Sequence, residues 1–161
     1  MKTPQPSPAE NAFRALVRTI GLMRRVMEPY FIQFGLSGAQ WGTLRVLQRA
    51  EQEGHKALRL TDLSERLLIR PPSVTAIVDR LQRLGHVGRI DSTSDRRAKQ
   101  VSLTPGGREL VERIMKGHGP RIEAVLAGLS RQEQTTFARL LEQLGSHLEN
   151  MAGESGSSPT S

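Results

Sequence analysis

The sequence contains no cysteine. That excludes a disulfide scaffold, a thiolate zinc site and thiol-based peroxide sensing by this chain. No uncharged run reaches membrane-spanning length, and the first apolar stretch is broken up by Arg14, Arg18, Arg24 and Arg25. Residues 1–8 carry one lysine and no apolar core, so they do not read as a secretory signal. A cytoplasmic protein with no membrane partner is the expectation. Signatures of catalysis are missing too: there is no glycine-rich phosphate loop, no nucleophile elbow and no pair of carboxylates in apolar surroundings. The four histidines, His55, His86, His118 and His147, stand apart, with no second ligand at metal spacing and no acidic cluster beside them. The sequence therefore argues against an enzyme, implies no cofactor and shows no metal site.

What is present is an uneven positive charge. At 161 residues the chain suits one domain, and its lysines and arginines exceed its acids by 23 to 16. Residues 59–108 hold ten basic and five acidic side chains, whereas residues 109–161 hold five basic and seven acidic. A basic middle with a mildly acidic end points to a polyanion partner for the middle. An arginine-rich solvated surface would account for the charge nearly as well, so the motifs must decide.

The middle, Thr61 to Thr104, reads as two short helices, a tight turn and a two-stranded hairpin. Thr61 is placed as hydroxyl N-cap of the first helix, with Asp62 behind it and Leu63, Leu67 and Leu68 at helical spacing. Pro71 and Pro72 cannot continue that helix, because proline lacks an amide hydrogen and clashes with the preceding turn, but a proline can open the next. The second helix, Pro72 to Leu84, buries Val74, Ile77, Val78, Leu81 and Leu84, and Gly85 stops it. Its other face carries Ser73, Thr75, Ala76, Asp79, Arg80 and Arg83. The small hydroxylated start of that face suits a helix lying deep in a groove. Val87–Asp91 and Ala98–Leu103 read as strands, the second with period-two alternation. Between them a polar loop carries Asp95, Arg96 and Arg97. The narrow minor groove attracts an inserted guanidinium, and Asp95 would orient Arg97.

Helix, turn, helix and winged hairpin, with Ser94-Asp95-Arg96-Arg97-Ala98-Lys99 leading to Leu103-Thr104, resemble the MarR family of bacterial transcriptional regulators, and within it the SlyA-like branch. The resemblance spans about residues 10–151, and Asp95-x-Arg97 is its most specific motif. It implies a homodimeric winged helix-turn-helix protein that binds a palindromic operator and releases it when a small aromatic or anionic ligand binds. The fold class expected is mainly α with a small β-hairpin wing.

The flanks read as helices that pair two copies, with closure within one chain as a monomeric bundle the competing reading. A helix from about Glu10 to Phe34 has an apolar stripe from Phe13 to Phe34, with Pro29 expected to kink or divide it. Ser37-Gly38-Ala39-Gln40 is a capping box for the next helix, which runs to about Glu51. Ala57–Leu60 reads as a short third strand. After the wing, Thr104 caps and Pro105 opens a helix interrupted, with an expected kink, at Gly117-His118-Gly119-Pro120. Gly106 and Gly107 read as turn residues. Ser130-Arg131-Gln132-Glu133 caps the last helix, striped from Phe137 to Met151. The expected organisation is tails at 1–8 and 152–161, a domain at 9–151, a reading unit at about 57–104 with helix-turn-helix 61–84 and wing 87–103, and dimerisation helices at about 10–34 and 105–151.

These readings assign double-stranded DNA as partner. Arg70, Pro72, Ser73, Thr75, Ala76 and Arg80 belong to the reading helix, with Ser73, Thr75 and Ala76 nearest bases and Arg70 and Arg80 nearest phosphates. Asp95, Arg96, Arg97 and Lys99 belong to the wing. The family's ligand crevice would be lined here by Met27, Tyr30, Phe31, Trp41 and Leu44, for each of which core packing is the competing role. A winged-helix architectural or protein-interaction module is the alternative function, separated from the first by whether DNA binding has a sequence preference.

Overall fold

A computed structural model describes residues 5–91 and 99–155. The chain forms two compact units, Met1–Gly119 and Pro120–Ser161. Among the described residues, helices and strands follow in the order α1 (Pro8–Ile32), α2 (Gly38–Gln52), β1 (Leu58–Arg59), α3 (Leu60–Leu67), α4 (Pro71–Arg83), β2 (Val87–Asp91), β3 (Lys99–Leu103), α5 (Pro105–Leu126) and α6 (Arg131–Ser155). The expected class, mainly helical with a small winged sheet, is the observed one. Among the described residues no helix is long and apolar enough to cross a membrane.

The helix starts follow from local capping. Ser37 Oγ accepts the Gln40 amide at 3.2 Å while Gln40 Oε1 accepts the Ser37 amide at 2.8 Å. Ser130 and Glu133 make the same reciprocal pair at the start of α6. A third box, Ser7 with Glu10, opens α1 at Pro8, so the N-terminal tail ends earlier than expected. Thr61 is not a cap: α3 begins at Leu60, because the Asp62 carboxylate accepts the Arg59 amide at 3.0 Å and closes the first turn from inside. Thr104 does cap α5, its hydroxyl accepting the Gly107 amide at 3.0 Å and donating to the Gly85 carbonyl at 2.6 Å.

Three breaks expected from proline and glycine differ from the structure. The helix α1 runs undivided past Pro29 and ends at Ile32, two residues short of Phe34. The helix α5 continues through Gly117-His118-Gly119-Pro120, although the boundary between the two compact units falls there. A proline inside a helix removes one amide donor, and a helix already anchored by core contacts upstream tolerates that loss. Gly106 and Gly107 lie inside α5 rather than in a turn, and Gly107 is there because nothing larger fits: a Cβ would stand 2.0 Å from the His86 carbonyl oxygen. The helix α6 extends to Ser155, past the expected end at Met151, since residues 152–155 contain no proline to stop it.

The sheet is antiparallel in the order β1-β3-β2, with Leu58 opposite Val101 and Val87 opposite Leu103. The third strand is real but only two residues long. One face of this sheet, with Leu63, Val74, Val78 and Leu81 of α3 and α4, Leu44 and Leu47 of α2, and Leu110, Val111 and Ile114 of α5, forms the core of the first unit. Each such buried aliphatic side chain contributes on the order of 1.5–3 kcal/mol relative to exposure, so α4 is held firmly along one stripe.

Candidate nucleic-acid interface

The helix α4 turns Val74, Val78 and Leu81 into the core and leaves Pro72, Ser73, Ala76 and Arg80 exposed. Arg70 is its N-cap, in extended conformation, and is exposed as well. Prolines occupy the first two helical positions, so neither supplies an amide to a ligand, and contact at this end falls to side chains. Thr75 is half-buried and its hydroxyl donates to the Pro71 carbonyl at 3.1 Å, which leaves it an acceptor towards a partner. The structure thus gathers Arg70, Pro72, Ser73, Ala76 and Arg80 on one exposed face, with Thr75 at its edge.

The turn before α4 is held in an unusual state. Leu68 ends α3 at φ 53°, ψ 39°, the left-handed region that penalises any Cβ, and is 90% exposed. Its amide donates to the Glu65 carbonyl, the Ile69 amide to the Ser64 carbonyl, and the Ser64 hydroxyl to the Ile69 carbonyl at 2.5 Å. These bonds over-determine the turn, so leucine occupies a conformation better suited to glycine. On the flank, Arg66 pairs with Glu53 at 2.8 Å and, by donating to it, holds the Glu53 carboxyl below the usual carboxylate range.

Sequence reasoning missed the link between the reading helix and the wing. Arg89 of β2 lies in register with Val101, on the sheet face that packs towards α4. Its guanidinium reaches Asp79 Oδ1 at 2.6 Å and Gln82 Oε1 at 3.2 Å. The spacing of ten residues across a turn and a strand is no local motif, and the alternation of β2 was its only signal. Lys99 is exposed at the start of β3, opposite Asp91 in the ladder. Asp95, Arg96 and Arg97 lie outside the described residues.

The first unit also has a groove of about 570 Å³ between α1, the start of α2 and the turn after α3. Met23, Met27 and Phe31, one helical stripe of α1, line one side, and Gly42, Leu67 and Ile69 face them. Glu28 sits at its edge, its carboxylate accepting the Gly38 amide at 3.3 Å and so capping α2 further. Met27 and Phe31 line this groove, Phe31 with most of its surface in the core. Tyr30, Trp41 and Leu44 do not line it and are buried: the Tyr30 hydroxyl donates to the Ile114 carbonyl at 2.5 Å, and Trp41 and Leu44 are 5% and 0% exposed. One position along α1 turns a side chain by about 100°, which separates Tyr30 from the groove stripe.

Comparison with known proteins places this geometry. A profile of the MarR family matches residues 34–98, which hold the helix-turn-helix and most of the wing. The HTH-type transcriptional repressor YetL of Bacillus subtilis is 34% identical over 122 residues, covering 76% of this chain and 71% of that one. Among solved structures, a mutant of Escherichia coli MarR complexed with operator DNA superposes with a TM-score of 0.75 at 22% identity, over 81% of this chain and 91% of that one. Bordetella bronchiseptica BpsR, whose DNA binding is regulated by 6-hydroxynicotinic acid, gives 0.74 at 24% identity, over 84% and 99%. The two structural likenesses speak to the fold, and the sequence likeness to kinship. The chain belongs to the MarR family and is a DNA-binding regulator of transcription rather than an enzyme.

Proposed function

We propose that the protein is a homodimeric repressor that reads a palindromic operator and releases it when a small aromatic or anionic ligand binds. In this reading α4 enters the major groove with Ser73, Thr75 and Ala76 towards base edges and Arg70 and Arg80 towards phosphates. Arg97, oriented by Asp95, enters the flanking minor groove, and Arg96 and Lys99 meet the backbone. The observation that carries it is the exposed face of α4, anchored behind by Val74, Val78 and Leu81 and tied sideways to the wing strand by Arg89.

Two exposed apolar stripes support a second copy. Phe13, Val17 and Val26 of α1 are 70%, 54% and 52% exposed, and Leu140 and Leu148 of α6 are each more than half exposed. Stripes of this length are seldom left to water, and a two-fold axis would set two reading helices about 34 Å apart on one face of a duplex. Repression is supported by the naming of YetL as a repressor. For relief by a ligand, the groove between α1, α2 and the turn before α4 is the candidate pocket, because a molecule seated there touches both a dimerisation helix and the turn that aims α4. The aromatic acid that regulates the Bordetella protein is a first probe for it.

The test is selection of retained duplexes from a random pool over several rounds, with the dimer followed by sedimentation. A palindrome with half-sites about one helical turn apart is the expected result. Salt-sensitive binding without enrichment would refute operator reading and favour an architectural role, with the wing arginines as plain phosphate contacts.

A further inference from the structure

Where α1, α2 and α5 meet, three aromatic rings close around one imidazole. The His118 ring meets Trp41 edge-on at a centroid distance of 5.3 Å, lies 6.1 Å from Phe31 and stacks on Tyr30 at 6.3 Å. Tyr30 and Phe31 belong to α1 and Trp41 to α2, so this single side chain ties α5 to both helices. Gly117 permits the approach: a Cβ there would stand 2.9 Å from the Tyr30 hydroxyl, which donates to the Ile114 carbonyl.

The cage suits a neutral ring and penalises a charged one. His118 Nδ1 is buried and has no hydrogen-bond partner among the described residues. For the neutral imidazole with its proton on Nε2, that is one unused lone pair. For the imidazolium it becomes a charged N–H without an acceptor, a much larger deficit in apolar surroundings. The charged group facing the ring from α2 is Arg45, whose guanidinium already lies over Trp41 at 5.7 Å from the ring centroid. The titratable group facing it from α1 is Tyr30, whose hydroxyl is engaged by the Ile114 carbonyl. A second cation therefore finds the Trp41 face taken and a like charge beside it. Burial first, and Arg45 second, hold the His118 imidazole below the usual histidine value.

We infer that His118 is a proton-operated latch: neutral, it pins α5 to α1 and α2, and protonated, it leaves the ring cage for water and lowers affinity for the operator. The position gives the latch its leverage. His118 lies two residues before Pro120, where one compact unit gives way to the next, so the stretch it frees is the one that joins the reading unit to the last helix. The DNA-linked part of the inference rests on the operator reading proposed above.

Trp41 is the sole tryptophan of the chain, and its emission changes when the ring packed against it leaves for water, so fluorescence reports on the latch without DNA. The experiment follows the full chain from about pH 8 to about pH 5, bracketing the ordinary imidazole range, for the wild type, His118→Phe and His118→Gln. Binding of a selected operator duplex is measured in parallel. His86, held below its usual value by burial and Arg113, is common to all three proteins and cancels in the comparison. The expected result is a fluorescence titration with its midpoint below the ordinary histidine value in the wild type alone, with a loss of operator affinity over the same interval that neither variant shows. Phenylalanine keeps the ring packing and glutamine the polarity, so one folded variant suffices. A titration that survives substitution, or an acid loss of binding equal in all three proteins, overturns the latch. A wild type that shows the fluorescence titration but prefers no duplex at the alkaline end refutes the operator reading and, with it, the coupling to DNA.

Discussion

Replacing Gly107 by alanine places a methyl 2.0 Å from the His86 carbonyl oxygen and 3.0 Å from its carbonyl carbon. Both are backbone atoms, so neither can swing aside as a side-chain end would. Reaching ordinary contact beyond 3.4 Å requires the first turn of α5 and the turn leading into β2 to part by more than an ångström. That movement strains the Thr104 amide bond to the His86 carbonyl at 3.1 Å and the Gly107 amide bond to Thr104 Oγ1 at 3.0 Å. Overpacking costs about 1–3 kcal/mol, and weakening a hydrogen bond adds roughly 1 kcal/mol. Alanine's helix preference returns at most about 1 kcal/mol, less in a first turn. The net loss should be about 2–3 kcal/mol, which for a chain of this size lowers Tm by roughly 4–12 °C. Gly106→Ala is the matched control, because its methyl would meet nothing closer than the Gly85 carbonyl at 3.8 Å. Urea and thermal unfolding followed by circular dichroism would compare the two. Equal stability of the two variants would refute the close-approach argument.

Four further outcomes are expected. Arg97→Ala should cost about 1–3 kcal/mol of operator binding with the protein still folded, and unchanged affinity in a quantitative binding assay would remove the proposed wing assignment. Arg89→Ala should change unfolding free energy by less than about 1 kcal/mol, since the pair with Asp79 is partly exposed. Yet it should weaken operator binding about fivefold, the effect of loosening the reading helix by roughly 1 kcal/mol; equal binding isotherms would show that α4 needs no brace from β2. Leu68→Gly removes a left-handed Cβ penalty of about 1–2 kcal/mol against roughly 0.5–1 kcal/mol of added chain entropy, so urea unfolding should show a gain of up to about 1 kcal/mol, and a clear loss would deny the strain. Acidification should lower stability: His86 and His118 both have folded values below 6.5, so below that pH the unfolded chain takes up protons that the folded chain refuses, and stability present above pH 6.5 falls towards the folded values. Urea midpoints measured across that interval should fall less steeply for His118→Gln, and an identical slope would exclude His118 from the titration.

Much of the fold was legible because its signals are local. Ser37 with Gln40, Ser130 with Glu133, and Thr104 before Pro105 each need only four consecutive residues, and all three cap as read. Ser7 with Glu10 is the same signal, hidden in a proline-rich segment that reads as a tail. The misplaced start of α3 shows the limit of the hydroxyl rule, since Asp62 caps from the third helical position and leaves Thr61 inside the turn. What remained illegible is set by distant backbone. The need for glycine at 107 comes from His86, the strain at Leu68 from Ser64 and Glu65, and the brace on α4 from a strand ten residues on. A helical stripe read to within one position could not separate Met27 and Phe31, which line the groove, from Tyr30, which packs on α5.

The composition of the α4 face bears on how sequence would be read. Two prolines supply no amide, Ala76 offers only a methyl, and the Thr75 hydroxyl spends its proton on the Pro71 carbonyl. With Arg70 and Arg80 towards phosphates in the proposed reading, Ser73 is the donor left for base edges at the start of this face. A good bidentate base contact is worth about 1–3 kcal/mol of discrimination, and one small hydroxyl cannot supply many of them. In the proposed dimer, a sequence reader built this way gains the rest of its specificity from DNA shape and from the fixed separation of two reading helices. That places unusual weight on the rigid joints behind the interface. Gly107 against His86 and His118 in its ring cage contact no DNA in the proposed reading, yet both lie on α5, the helix that continues from the reading unit past Pro120. On this argument, a substitution at either joint should flatten discrimination between matched and mismatched half-site spacings more than it lowers affinity for a single half-site. A loss at Ala76 should do the reverse.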